Sequence, residues 1–197
     1  GTDILEIESE KVTGRLAFEM DLSDASMAYA SYTRGFKPGG SNLTFGREDV
    51  IAPIVVLPIF EEETIDADEI GLKTDLADGR VRLNGAMFFY EYDNLQYQAT
   101  DPELFQGGVG NVPESEIYGA EIELGAFLTD SLVFDARIAL LETEITASHL
   151  ALDNVAGERR MNDLLAQGFS KFGPENQIAR AEEIADVEGN ELPKTPS

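Results

Sequence analysis

The sequence has no cysteine and no tryptophan among its 197 residues, and His149 is its single histidine. Without cysteine there is neither a disulfide framework nor a thiolate metal site. With one histidine, no histidine-based metal centre and no Ser-His-Asp triad can be assembled. Basic residues are scarce: 14 Lys and Arg stand against 38 Asp and Glu, a net charge of −24. Such a surface repels phosphate backbones and offers no polybasic patch to anionic lipid, so nucleic acid is not a partner. No stretch approaches the roughly 20 apolar residues of a membrane-spanning helix. The longest apolar run, Ile51 to Phe60, is interrupted by Pro53 and Pro58. Gly1 to Glu10 lack the basic start and apolar core of a signal peptide, so a leader is expected outside this stretch if the protein is exported. None of these absences excludes a membrane barrel, whose strands need only about ten alternating residues each.

What is present is alternation. Leu16, Phe18, Met20 and Leu22 fall on one face of a strand over 13–22, with Arg15, Ala17, Glu19 and Asp21 on the other. The polar turn Ser23-Asp24-Ala25 leads into a second strand over 26–34. A third over 67–75 passes through Leu76-Ala77-Asp78-Gly79 into a fourth over 80–92. The fourth places Val81, Leu83, Met87 and Phe89 on one face and Arg82, Asn84, Phe88 and Tyr90 on the other. A fifth over 116–126 turns at Leu128-Thr129-Asp130 into a sixth over 132–142.

Between these short turns lie long connections, 35–66, 94–115 and 146–191. The last carries two predicted helices, Gly157 to Gln167 and Pro174 to Val187. The first lines up Met161, Leu164 and Leu165, the second Ile178, Ala181, Ile184 and Ala185. Compact soluble domains join their elements mostly with about 4–6 residues. An outer-membrane barrel alternates short periplasmic turns with long extracellular loops. The pattern therefore predicts an all-β fold: about six antiparallel meander strands from the wall of a larger transmembrane β-barrel. In that fold the outward set is Leu16, Phe18, Leu83, Phe89, Leu124, Phe134 and Ile138. The inward set is Glu19, Asn84, Glu121, Asp135 and Arg137. A secreted β-sandwich that binds carbohydrate or another ligand is the alternative, because its strands alternate as well.

Several segments resemble the TonB-dependent receptor family. Tyr29-Ala30-Ser31-Tyr32-Thr33-Arg34-Gly35-Phe36-Lys37-Pro38-Gly39-Gly40 is similar to its strand-to-loop stretch, and Ala67 to Leu76 to its acidic, glycine and lysine strand. Asn84 to Gln96 resembles the aromatic strand that follows, and Ile117 to Leu124 completes the order. The resemblance covers about Val12 to Ile145, with Leu192 to Ser197 as the approach to a further strand; 146–191 carries none. It implies a barrel of about 22 strands with a plugged lumen, and hence a partial barrel domain over 1–197 without plug, TonB-contacting segment or closing C-terminal strand. It also implies uptake of a scarce ligand across the outer membrane of a Gram-negative bacterium, most often a ferric siderophore, otherwise cobalamin or an oligosaccharide. The energy comes from the TonB complex. No catalysis, cofactor or resident metal is implied, and the partners are the ligand, that complex and the lipid bilayer.

Arg34, Lys37 and Tyr32 are the candidate ligand contacts at the barrel mouth, and Tyr29, Tyr90 and Tyr92 are further stacking candidates. The plainer readings are ion pairs with the surplus carboxylates and an aromatic girdle or lumen packing. Glu61, Glu62, Glu63, Asp66 and Asp68 lack EF-hand spacing and read as a solvated acidic run. Glu121 and Glu123 are two apart on one face, as a wet lumen wall requires without catalysis. Gly107-Gly108-Val109-Gly110 lacks the Lys-Ser/Thr ending of a phosphate loop.

Overall fold

The computed structural model describes residues 10–42, 59–100, 107–171 and 173–192. In chain order the strands begin with β1 (Gly14–Ser23), β2 (Ser26–Lys37), β3 (Gly40–Ser41), β4 (Ile59–Phe60), β5 (Glu63–Leu76) and β6 (Val81–Thr100). Then come β7 (Gly107–Thr129), β8 (Leu132–Ile145), β9 (Leu150–Leu152), α1 (Asn154–Ala166), α2 (Pro174–Glu182) and β10 (Ile184–Asp186). One six-stranded antiparallel sheet runs in the order β1-β2-β5-β6-β7-β8. This is the predicted meander. Among the described residues no second sheet packs across it, which removes the sandwich alternative.

The registers fix the faces. Leu16 lies opposite Tyr32, Tyr32 opposite Asp68, Asp68 opposite Phe89, Phe89 opposite Tyr118 and Tyr118 opposite Glu142. Lower on the same face run Leu72, Gly85, Ile122 and Ile138. All seven residues expected to point outward share this face. The opposite face carries Glu19, Asn84, Glu121, Asp135 and Arg137, the whole inward set. From Val81 to Phe89 the outer face of β6 is apolar, matching the roughly 9–11 residues a strand needs to cross a bilayer. Tyr32, Phe89 and Tyr118 form an aromatic row at its upper edge. Immediately above it the outward row becomes Arg34, Asp66, Glu91, Glu116 and Glu144, which belongs in water. Phe18 is 68% exposed, Ile138 61% and Leu140 68%. A soluble fold buries such residues, whereas an exposed band of this kind suits lipid.

The buried hydrophobic residues described are only Val112, Ala126, Ile145, Ala179 and Leu192, so the sheet is held by its ladders and not by a central core. Glycines let large rings lie against it. A Cβ on Gly71 would strike the Tyr29 ring, and one on Gly119 would meet the Phe88 ring at 2.7 Å and collide with the Leu140 carbonyl. Backbone cannot swing aside as a side chain can. Gly119→Ala is therefore expected to cost about 1–3 kcal/mol by overpacking, read as an earlier urea midpoint for the folded barrel in micelles, whereas Gly14→Ala, with open space around it, should leave the midpoint unchanged.

The first two short turns fall where expected, and the third shifts to Asp130-Ser131 because β7 runs on to Thr129. The Ser23 hydroxyl accepts the Ala25 amide at 3.2 Å. Ala77, Asp78 and Gly79 all take positive φ, at 53°, 55° and 79°. The Arg80 guanidinium donates to the Phe127 carbonyl at 3.1 Å and meets Asp130 at 3.4 Å, tying this turn to its neighbour.

The long connections differ from the expectation. The stretch 94–115 is largely strand: β6 and β7 keep one register from Val81 and Ala126 up to Thr100 and Gly107. Glycine, proline and asparagine there suggest breakers, yet a ribbon pairs through its backbones. At the one break Pro113 has no N–H to give, and the Asn94 carbonyl takes the Asn111 side-chain amide instead at 2.7 Å. In 35–66, β2 runs on to Lys37 and β5 starts at Glu63, with the ribbon of β3 and β4 between. Both corrections have one cause: beyond the aromatic row both faces of the ribbon carry polar residues, so pairing continues after apolar alternation has stopped.

In 146–191 two helices do form. Asp153 caps α1 by accepting the Val155 and Ala156 amides at 3.0 and 2.9 Å. The second helix is shorter than predicted, ending at Glu182, and Ile184–Asp186 pairs with β9 instead. Its apolar face is also displaced, since Ala179 is buried while Ile178 is 48% exposed. Beyond β10, Ile145 donates to Asn190 at 2.9 Å and accepts from Gly189 at 2.8 Å. The Leu192 amide reaches the Thr143 hydroxyl at 3.0 Å, so the chain returns along the free edge of β8. Residues 193–197, expected to lead into a further strand, lie outside the described residues.

Candidate functional site

Two concavities, of about 610 and 390 Å³, open on the polar face of the sheet, which is therefore the luminal side. In the smaller one, near the short turns, Arg82 grips Asp75 with both arms at 2.8 and 3.0 Å. Across β7 and β8, Arg137 reaches Glu123 at 3.3 Å. Both pairs are exposed, so they orient side chains more than they stabilise the fold.

The larger concavity lies higher. Tyr29 from β2 lies over Gly71 of β5, and its hydroxyl donates to Glu69 at 2.5 Å. The Lys73 ammonium sits 5.3 Å from the centre of that ring. Phe88 and Tyr90, two apart on β6, stack with centroids 5.0 Å apart. Tyr92, Glu121 and Glu123 also line it, with Asn84, Ile117 and Leu141 among the rest. This is a half-buried wall of aromatic faces and carboxylates, level with the aromatic row on the outer face.

The candidate residues from the sequence are thereby separated. Tyr29, Tyr90 and Tyr92 share the luminal face. Tyr32 and Arg34 are on the outer face, both directed at Asp66: the Tyr32 hydroxyl donates to it and Arg34 pairs with it at 3.7 Å. Lys37 is at the mouth on the luminal parity, opposite Glu63. Asp66 and Asp68 face outward while Glu62 pairs with Lys11 at 2.7 Å, so the acidic run is dispersed. Among the described residues no group of three acidic or histidine side chains is placed to hold a metal ion. The glycines Gly71 and Gly119, which leave room for the Tyr29 and Phe88 rings, carry no signal of their own in the sequence. Only the cross-strand register reveals them.

Above the aromatic row, three amides fasten the base of the β2–β5 connection to the β6–β7 ribbon. Asn42 exchanges two hydrogen bonds with the Val109 backbone, each 2.8 Å. Asn111 accepts the Glu61 amide at 2.8 Å, and Gln96 donates to the Pro38 and Glu61 carbonyls, both at 3.0 Å. The connection after β8 folds as a cap of β9, α1, α2 and β10, rooted on Val112, Ile145 and Leu192 with Leu95, Tyr97 and Val187 against them.

The neck of the cap centres on Asp186, which accepts the Ser148 hydroxyl at 2.6 Å and the His149 and Glu188 amides at 3.1 Å. The Ser148 hydroxyl, with those two amides, holds the Asp186 carboxyl below its ordinary 3.8. Burial against Tyr97 holds His149 below its ordinary 6.5. In both cases the unfolded neck binds the proton first as pH falls. The contribution of His149 is thus complete above 6.5 and lost below it, and that of Asp186 goes only near and below 3.8. Hydrogen exchange of the 146–149 and 186–190 amides, corrected for intrinsic rates, is expected to quicken between pH 7.5 and pH 5, and His149→Phe should flatten that dependence.

The sequence profile of the family described as TonB dependent receptor-like, beta-barrel matches residues 5–197. The probable TonB-dependent siderophore receptor PiuA of Acinetobacter baumannii is 29% identical over 140 residues, covering 70% of this chain and 18% of that protein. Among solved structures, the ferric yersiniabactin uptake receptor FyuA of Yersinia pestis aligns over 68% of this chain and 18% of its own, with TM-score 0.53 and 22% identity. The ferric-catecholate import receptor Fiu of E. coli K12 aligns over 72% and 19%, with TM-score 0.50 and 19% identity. At these identities the two structures speak for the fold alone. The chain spans about a fifth of the length of these relatives.

Proposed function

The chain belongs to the TonB-dependent receptor β-barrel family, and on that premise we propose that it forms part of the wall of an outer-membrane receptor that imports a ferric siderophore. The receptor sits in the outer membrane of a Gram-negative bacterium and draws its energy through TonB. The observation that carries the siderophore reading is the similarity to PiuA across 70% of the chain. The two-faced wall supports the membrane part: one face suits lipid, and the other a wet lumen lined with charge and aromatic rings. Its work is binding and passage, not bond chemistry. Lys37, on the luminal side of the mouth, is the candidate ligand contact we retain. Tyr32 and Arg34 we assign to the interface, because they face outward.

The test is transport by the full-length receptor in an iron-starved Gram-negative host. Deleting the gene should abolish uptake of one radio-iron siderophore, and restoring it should rescue uptake only where TonB is functional. Unchanged uptake of every ferric siderophore tried, together with loss of cobalamin or oligosaccharide uptake, would move the reading to those nutrients.

A further inference from the structure

We propose that the upper luminal concavity is a subsite for a cationic group, so that the imported ligand presents an ammonium-like or guanidinium-like charge to this wall. The inference rests on reading the wall as part of a ligand passage, and it adds the charge class of what passes. Three independent observations meet there. The first is shape: a concavity of about 610 Å³ opens on the lumen level with the aromatic row that marks the outer membrane interface.

The second is the attitude of the rings. Tyr29 lies over Gly71 and Phe88 over Gly119, positions at which any Cβ would strike the ring. A ring held over a glycine lies close against the backbone on the concave side, and the π-faces of such rings carry the negative end of the aromatic quadrupole. Tyr90 stacks on Phe88, so the two rings stand as one aromatic unit beside Tyr29 in the same concavity.

The third is that the wall already holds an ammonium. Lys73 stands 5.3 Å over the Tyr29 ring, while Glu69 is engaged by the Tyr29 hydroxyl. The platform of Phe88 and Tyr90 on the neighbouring strand has no such cation among the described residues. Glu121 stands one strand over, in register with Ala86, and forms no ion pair among the described residues. An aromatic face beside a carboxylate is the arrangement that attracts a partly desolvated cation and repels an anion.

The test uses the full-length receptor in detergent micelles and three small phenyl probes that differ in charge: phenyltrimethylammonium, benzyl alcohol and benzenesulfonate. Binding is followed by saturation-transfer NMR. The cation is expected to bind saturably, the alcohol more weakly and the sulfonate not at all. Glu121→Gln and Phe88→Leu should each weaken the cation by at least about threefold. Heat-modifiable migration in gels shows that each variant still forms its barrel. Sulfonate binding as tight as the cation, cation binding indifferent to both substitutions, or no saturable cation binding would each overturn the proposal. None of these readouts involves iron, so a failed siderophore assay and a failed subsite are told apart.

Discussion

Expressed by itself in water, the 197-residue chain is expected to elute from a sizing column as aggregate and to become a dispersed species only when detergent is present. It exposes 13600 Å², whereas a compact monomer of 21.5 kDa exposes roughly 9,200 Å². The outer face carries a band of exposed Leu, Ile, Phe and Met, far beyond the few hundred Å² that soluble monomers tolerate. The edge strand β1, exposed along its whole length, adds a row of unpaired backbone groups that invites another chain. The net charge of −24 opposes association. It lies in the lumen and above the membrane, however, and leaves the apolar band uncovered. A clean monomer with a sharp, cooperative thermal transition would contradict the expectation.

The second large effect separates two adjacent residues. Ile138 and Ala139 point to opposite faces of β8: Ile138 lies beside Ile122 in the middle of the apolar band, and Ala139 lies opposite Glu121 in the lumen. Ile138→Arg is expected to destabilise the full-length barrel in lipid vesicles by about 2–4 kcal/mol, the cost of a guanidinium at the midplane. Ala139→Arg should cost close to nothing, because the lumen is wet and a carboxylate stands across the ladder. Reversible denaturant titrations of the two variants give both values. Equal costs, or the reverse order, would mean that the faces are misassigned.

What the sequence discloses follows from where its two faces meet different solvents. Leu16 to Leu22 and Leu132 to Leu140 alternate as a wall with lipid on one side and water on the other requires, and these strands are legible residue by residue. From Leu95 up to the tip of the ribbon water lies on both sides. Alternation fades there although the ladder of β6 and β7 continues, so Gly107 to Pro113 reads as loop. The end of α2 is hidden for another reason. Ile184 and Ala185 fit a helical face as well as a short strand, and only the presence of Leu150–Leu152 as a partner decides between them. Parity alone already places Tyr29 and Tyr32 on opposite faces, but it cannot say which face is the lumen. That follows from the registers, which place Tyr32 in the row of Leu16 and Phe89 and Tyr29 over Gly71.

The central claim is that this sheet is a membrane wall with one face toward lipid, and accessibility along β7 tests it most directly. Single cysteines placed from Ile117 to Leu124 in a cysteine-free full-length receptor, spin-labelled and reconstituted in vesicles, report collisions with oxygen from the lipid and with a nickel chelate from water. The account predicts oxygen maxima at Tyr118, Ala120, Ile122 and Leu124 and chelate maxima at Glu121 and Glu123, a period of two. A trace without that period, or with its phase reversed, would contradict it.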